Sequence, residues 1–151
     1  MCALLATPAT ARETIGAYGG WAAFRDPDRC YAIARPAMRS GRARRAAFAS
    51  VATWPGRGLR SSFHVRLSRE RDRSADVVLT AGGRRFRLVA GGWDAWAADG
   101  PGDRAIVAAL RGARSMSVEA VGRGGRPFAD SYALAGAATA IDAAALACAG
   151  R

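Results

Sequence analysis

Pro127-Phe128-Ala129-Asp130-Ser131-Tyr132-Ala133-Leu134-Ala135-Gly136 reads as a strand with one committed face. Phe128, Asp130, Tyr132 and Leu134 fall on the same side of an alternating pattern, and Gly136 breaks it. An alanine-rich run follows, predicted as a helix from Ala140 to Ala147 with Ile141, Ala145 and Cys148 on one face. That run carries a cysteine to the C-terminus, while Cys30 lies far upstream. A strand, a break and a helix ending on a cysteine suggest an exported β domain stapled end to end.

Upstream, the period of two recurs. Ser61 to Ser68 sets Phe63, Val65 and Leu67 against Ser62, His64 and Arg66, a strand with one wet face. Phe48 to Trp54 is a strand stopped by Pro55-Gly56, and Cys30 to Ala34 one stopped by Pro36. Val77 to Thr80 and Arg85 to Ala90 flank Gly82-Gly83, a hairpin signal with Phe86 and Leu88 inward. Met116 to Val121 is a further strand. Ile15 to Phe24 reads as one strand whose glycines allow a bend or bulge. Trp93-Asp94-Ala95-Trp96 falls in a loop after Gly91-Gly92. In the short helix beyond it, Asp103 is placed to cap, Ile106, Val107 and Leu110 form the apolar stripe, and Gly112 ends the element. Eight or so short strands without crossover helices predict an antiparallel sandwich or barrel, not a parallel α/β sheet.

At 151 residues there is room for one domain with a real core. No apolar run reaches the roughly 18 residues of a membrane-spanning helix. Residues 1–11 read as the back half of a secretory signal, with Ala9-Thr10-Ala11 as a small-x-small cleavage site before Arg12. Its charged leader would lie upstream of a start codon placed too late, and residues 12–151 would form the mature domain. Cleavage removes Cys2 and leaves Cys30 and Cys148, which pair in an oxidising compartment or persist as two buried thiols.

The formal net charge is +11, and every basic residue is an arginine; lysine, asparagine and glutamine are absent. That composition suits a genome of high G+C content, so the charge carries less functional information than usual. It still predicts attraction to polyanions. Arg39, Arg42, Arg44 and Arg45 share one loop and are the candidate anion-binding group. Arg69, Arg71 and Arg73 share another, and Arg84, Arg85 and Arg87 flank a hairpin. Aromatic residues are not interleaved with these groups as in single-strand platforms, which argues against specific nucleic-acid recognition. The expected partner is an anionic envelope component or another protein.

Candidate chemistry is sparse. His64 is the only histidine, and a general base needs both an orienting partner and a nucleophile within reach. One histidine and two distant cysteines lack zinc-ligand spacing. Asp94, Asp99, Asp103 and Asp130 offer carboxylates for glycoside chemistry, but Asp103 reads as a cap and Asp99 as a turn residue. Asp130 shares a face with Tyr132 and is expected to hydrogen-bond backbone near the last strand. Gly122 to Arg126 is followed by a strand, so it is a turn and not a phosphate loop. No catalytic residue, metal or cofactor is therefore expected. Trp21, Trp54, Trp93 and Trp96 are core candidates, with Trp93 or Trp96 open to exposure as a binding anchor.

Taken in order, several segments resemble the invasion-associated locus B family of proteobacteria. They are Trp21, Cys30-Tyr31-Ala32 with Pro36, Phe86-x-Leu88, Asp94-Ala95-Trp96-Ala97, Ile106-Val107-x-Ala109-Leu110-Arg111-Gly112, and Asp130-Ser131-Tyr132-Ala133-Leu134-x-Gly136 with Cys148. The resemblance runs from about Ile15 to Cys148. It implies a periplasmic or secreted protein of a Gram-negative bacterium, without defined catalytic residues. The implied fold is an antiparallel immunoglobulin-like β-sandwich with one short internal helix and a C-terminal helix. Some members are linked to host-cell entry. The glycine-rich Gly122–Pro127 and the Ala137 that stands where an aromatic often follows the glycine depart from the family pattern, and bear against carrying that role over.

Overall fold

Alternating apolar and polar residues build eleven strands in the computed structural model, which describes residues 11–39 and 46–151. The elements run β1 (Glu13–Tyr18), β2 (Trp21–Arg25), β3 (Cys30–Ala34), β4 (Met38–Arg39), β5 (Phe48–Trp54) and β6 (Leu59–Arg66). Then follow β7 (Val77–Ala81), β8 (Arg84–Gly91), β9 (Asp94–Trp96), α1 (Gly100–Gly112), β10 (Ser115–Val121), β11 (Pro127–Ala133) and α2 (Ala137–Ala147). The proposed signal remnant, residues 1–11, lies outside the described residues except for Ala11.

Every ladder is antiparallel, in the order β1-β2-β3-β5-β6-β9-β8-β7-β10-β11-β4. The ribbon doubles back at β8. Arg84 to Leu88 pair with β7, while Val89 to Gly91 pair with β9, so one strand serves both layers. The result is an all-β, sandwich-like fold with an internal helix and a C-terminal helix, as expected from the strand spacing.

Phe63, Val65 and Leu67 from one layer meet Leu79, Val118, Phe128 and Tyr132 from the other in a shared core. Ile106 and Leu110 of α1 enter the same core, and α2 packs across β1, β2 and β3. The residues that α2 buries are Ala137, Ala140, Ile141 and Ala144, with Cys148 just beyond. Spacing from the true helix start at Ala137 selects Ala144, not Ala145, because the face repeats at three and four residues.

Three local expectations need correction. The stretch from Ile15 to Phe24 is a hairpin, not one strand: Tyr18 pairs with Trp21 across a Gly19-Gly20 turn, and Gly19 takes φ of 57°. The cap of α1 is Asp99, whose carboxylate accepts from the Gly102 N–H at 2.7 Å. The helix therefore begins four residues early, with Pro101 in its first turn. Asp103 instead accepts the Phe63 N–H at 2.7 Å, tying α1 to β6. Finally, Asp94–Trp96 forms β9 where a loop was expected, because it bridges β6 and β8.

Asp130 is fully buried and grips the chain between β6 and β7. It accepts the Ser68 N–H at 2.9 Å and the Ser68 hydroxyl at 2.5 Å. Burial and the neighbouring Asp130 charge raise the Tyr132 phenol far above its ordinary value, so it stays protonated. An Asp130→Ala protein is expected to lose about 2–4 kcal/mol, because the fully buried Ser68 keeps its donors without an acceptor. Urea midpoints at constant slope check this, and an unchanged midpoint would contradict it.

Cys30 and Cys148 are joined, with Cα atoms 5.8 Å apart and a sequence separation of 118. The bond fastens β3 to the end of α2 inside a small cluster with Ala23 and Ala144.

Candidate functional site

Alternation along β2, β3, β5, β6 and β9 sends every second side chain away from the core. The registers then align those outward residues into rows. One row runs Ala22, Ile33, Ser50, His64, Trp96 and Val89 across six strands. A second runs Phe24, Tyr31, Ala52 and Ser62. A third runs Phe48, Arg66 and Asp94. One sheet face thus gathers Phe24, Tyr31, Phe48, His64 and Trp96, with Trp54 at the end of β5.

Arginines lie on these rings. Arg29 sits 4.4 Å from the Tyr31 ring centre and 5.0 Å from that of Trp54, whose ring Arg57 also covers at 4.7 Å. Arg12 lies 5.6 Å from both Phe24 and Tyr31, and Arg66 lies 5.4 Å from Phe48. Such cation–π contacts contribute about 0.5–1 kcal/mol each at exposed sites, and above all they hold the guanidinium groups in fixed positions. Asp26 accepts from both Arg12 and Arg29 at 3.2 Å. Arg57 is exposed and has no acidic partner among the described residues.

His64 organises the middle of this face. Its Nε2 lies 2.8 Å from Asp94 Oδ1, which also accepts from Arg66 Nε at 3.1 Å. Facing a carboxylate, Nε2 carries the proton. The ring stacks on Trp96 at 5.3 Å and 13° and meets the edge of Phe48 at 5.3 Å. Burial pushes its pKa below the ordinary 6.5; the Asp94 bond and charge oppose that, and Arg66 and Arg29 reinforce it. Neutral His64 therefore serves as a spacer between rings. The unfolded chain binds the proton more readily, so this contribution is present above about pH 6.5 and fades as pH falls towards the lower folded pKa. Melting temperatures from pH 8 to pH 5 should drop more steeply for the parent than for His64→Gln. Parallel curves would contradict the assignment.

Of the arginines singled out as groups in the sequence, Arg71 and Arg87 have partners of their own. Arg39 lies in β4 opposite Asp130 in the ladder, and Arg42, Arg44 and Arg45 lie outside the described residues. Arg71 is a structural tie: it donates to the carbonyls of Asp72, Arg73, Ala75 and Ala90 at 2.8–3.1 Å. Arg87 pairs with Asp76 at 2.7 Å, and Arg123 with Glu70 at 3.3 Å. A groove of about 400 Å³ on the second layer, between Asp76, Arg85, Glu119 and Phe128, is wide open and carries both signs of charge.

Sorting arginines into runs did not single out the ring-covering Arg12, Arg29, Arg57 and Arg66. Arg29 stands two residues from Tyr31 and Arg57 three from Trp54, a local signal of arginine shared with a ring. No family model, no curated protein and no solved structure matches this chain.

Proposed function

We propose that this chain is an exported, non-catalytic β-sandwich protein of the invasion-associated locus B type. It acts in the periplasm or outside the cell by contact with an anionic envelope component or another protein. The carrying observation is the Cys30–Cys148 bond, which closes nearly the whole domain and persists in oxidising compartments. The arginine-covered face supports a binding role. His64, held between Phe48 and Trp96 with its N–H given to Asp94, supports that face instead of attacking a substrate.

Fractionation of native cells, followed by alkylation and intact mass with and without reductant, tests the reading. The expected result is protein in the periplasm or medium whose Cys30 and Cys148 react only after reduction. Cytosolic protein with both thiols freely alkylated would overturn it.

A further inference from the structure

We infer that the outer face of β3, β5, β6 and β9 binds a strand of acidic polysaccharide. Its anionic groups meet Arg29, Arg57 and Arg66, and a sugar ring lies on Trp96. This names the ligand class for the envelope-contact reading above and rests on it. Charge complementarity is the first argument. Among the described residues, the acids bonded to Arg12, Arg29 or Arg66 are Asp26 and Asp94, each already engaged by arginine, and Arg57 has no acidic partner.

The placement of the rings decides the class. Tyr31 and Trp54 lie under guanidinium groups, so they position cations and do not offer free faces to successive bases. Trp96 differs. It is 41% exposed, is backed by His64 on one side and has Val89, 54% exposed, beside it in the ladder. One open indole within a field of fixed guanidiniums fits the apolar C–H face of a single sugar ring flanked by carboxylates. The exposed large apolar side chains of this sheet are Leu59, Val89 and Trp96, set among four arginines, so charge and not apolar insertion dominates the face.

Titration of the purified oxidised protein with an oligogalacturonate, followed by tryptophan fluorescence at two salt concentrations, tests the inference. Binding should weaken steeply with salt. Arg57→Ala should reduce affinity and lower the logarithmic salt slope by about one. Trp96→Ala should weaken binding by about tenfold with the slope unchanged, as loss of a stacked ring does. Arg87→Ala and Arg123→Ala, away from this face, should bind like the parent. Equal loss in those controls would overturn the site in favour of diffuse charge. Tighter binding of an oligothymidylate or of anionic phospholipid vesicles, with the same dependence on Trp96, would overturn the ligand class. Glycan binding by a protein found reduced in the cytosol would leave the face standing and remove the exported role. An exported protein with no glycan affinity would do the reverse.

Discussion

A Cys30→Ala/Cys148→Ala protein melts on the order of 10–15 °C below the oxidised parent, with α2 the first element to lose hydrogen-exchange protection. With the cysteines separated by 118 positions in sequence, the chain-entropy model gives a contribution of at most about 4–5 kcal/mol. The composition of α2 makes that contribution decisive locally. Its buried face is Ala137, Ala140, Ala144 and a single large residue, Ile141, while Leu146 is 75% exposed. Alanine side chains remove little apolar area from water, so this helix has weak hydrophobic attachment. What else holds its end is the Arg25 guanidinium, which donates to the Ala147 carbonyl at 2.8 Å. Alanine replacements keep the site apolar, so the loss measures the cross-link and not a buried hydroxyl. Calorimetry with and without reductant checks the magnitude. Equal melting temperatures for parent and variant would show that packing alone retains α2.

Gly136→Ala has an effect of similar size for a different reason. A Cβ at Gly136 would lie 1.9 Å from the Tyr18 carbonyl oxygen, and one at Gly19 would lie 2.3 Å from the Ala135 carbonyl oxygen. The turn of the β1–β2 hairpin and the entry to α2 thus touch backbone to backbone. Gly136 also holds φ at 87°, a conformation unfavourable to any residue with a side chain. Neither main chain can retreat without moving β1 or α2. The expected loss is about 4 kcal/mol or more, at the extreme of single substitutions. Gly58→Ala provides the comparison: φ there is 64°, yet nothing stands within 4 Å of the added carbon. It should lose only about 1–2 kcal/mol from the left-handed backbone. Similar denaturation midpoints for the two variants would mean that the contact contributes nothing beyond dihedral strain.

The strand set was largely legible from alternation. Phe63-Val65-Leu67 against His64-Arg66, the Gly82-Gly83 hairpin and the final strand all fold as their period of two predicts. The apolar stripe of α1 was legible too, since Ile106, Val107 and Leu110 are buried. The start of α1 was not. Asp99 and Asp103 both suit a cap chemically, and the choice fell to Asp103's bond with the Phe63 N–H, a tertiary contact 40 residues away. The Gly19 turn was misjudged because a bulge and a tight hairpin draw on the same glycines.

By itself, the sequence determined most of the side chains that face inward and that strands join strands without crossover helices, while the pairing of Cys30 with Cys148 came from the structure. The first two follow from backbone periodicity. Only the tertiary structure decided that Arg29, Trp54, His64, Asp94 and Trp96 share one outer face. Outward residues are neighbours only through strand order and register. Turns set the register of the hairpins, but the pairings of β3 with β5 and of β6 with β9 join strands across long connections that no turn signal encodes. The same pairing drew Asp94 beside His64 across 30 residues, turning a lone histidine and an aspartate expected in a loop into the frame of the proposed binding surface.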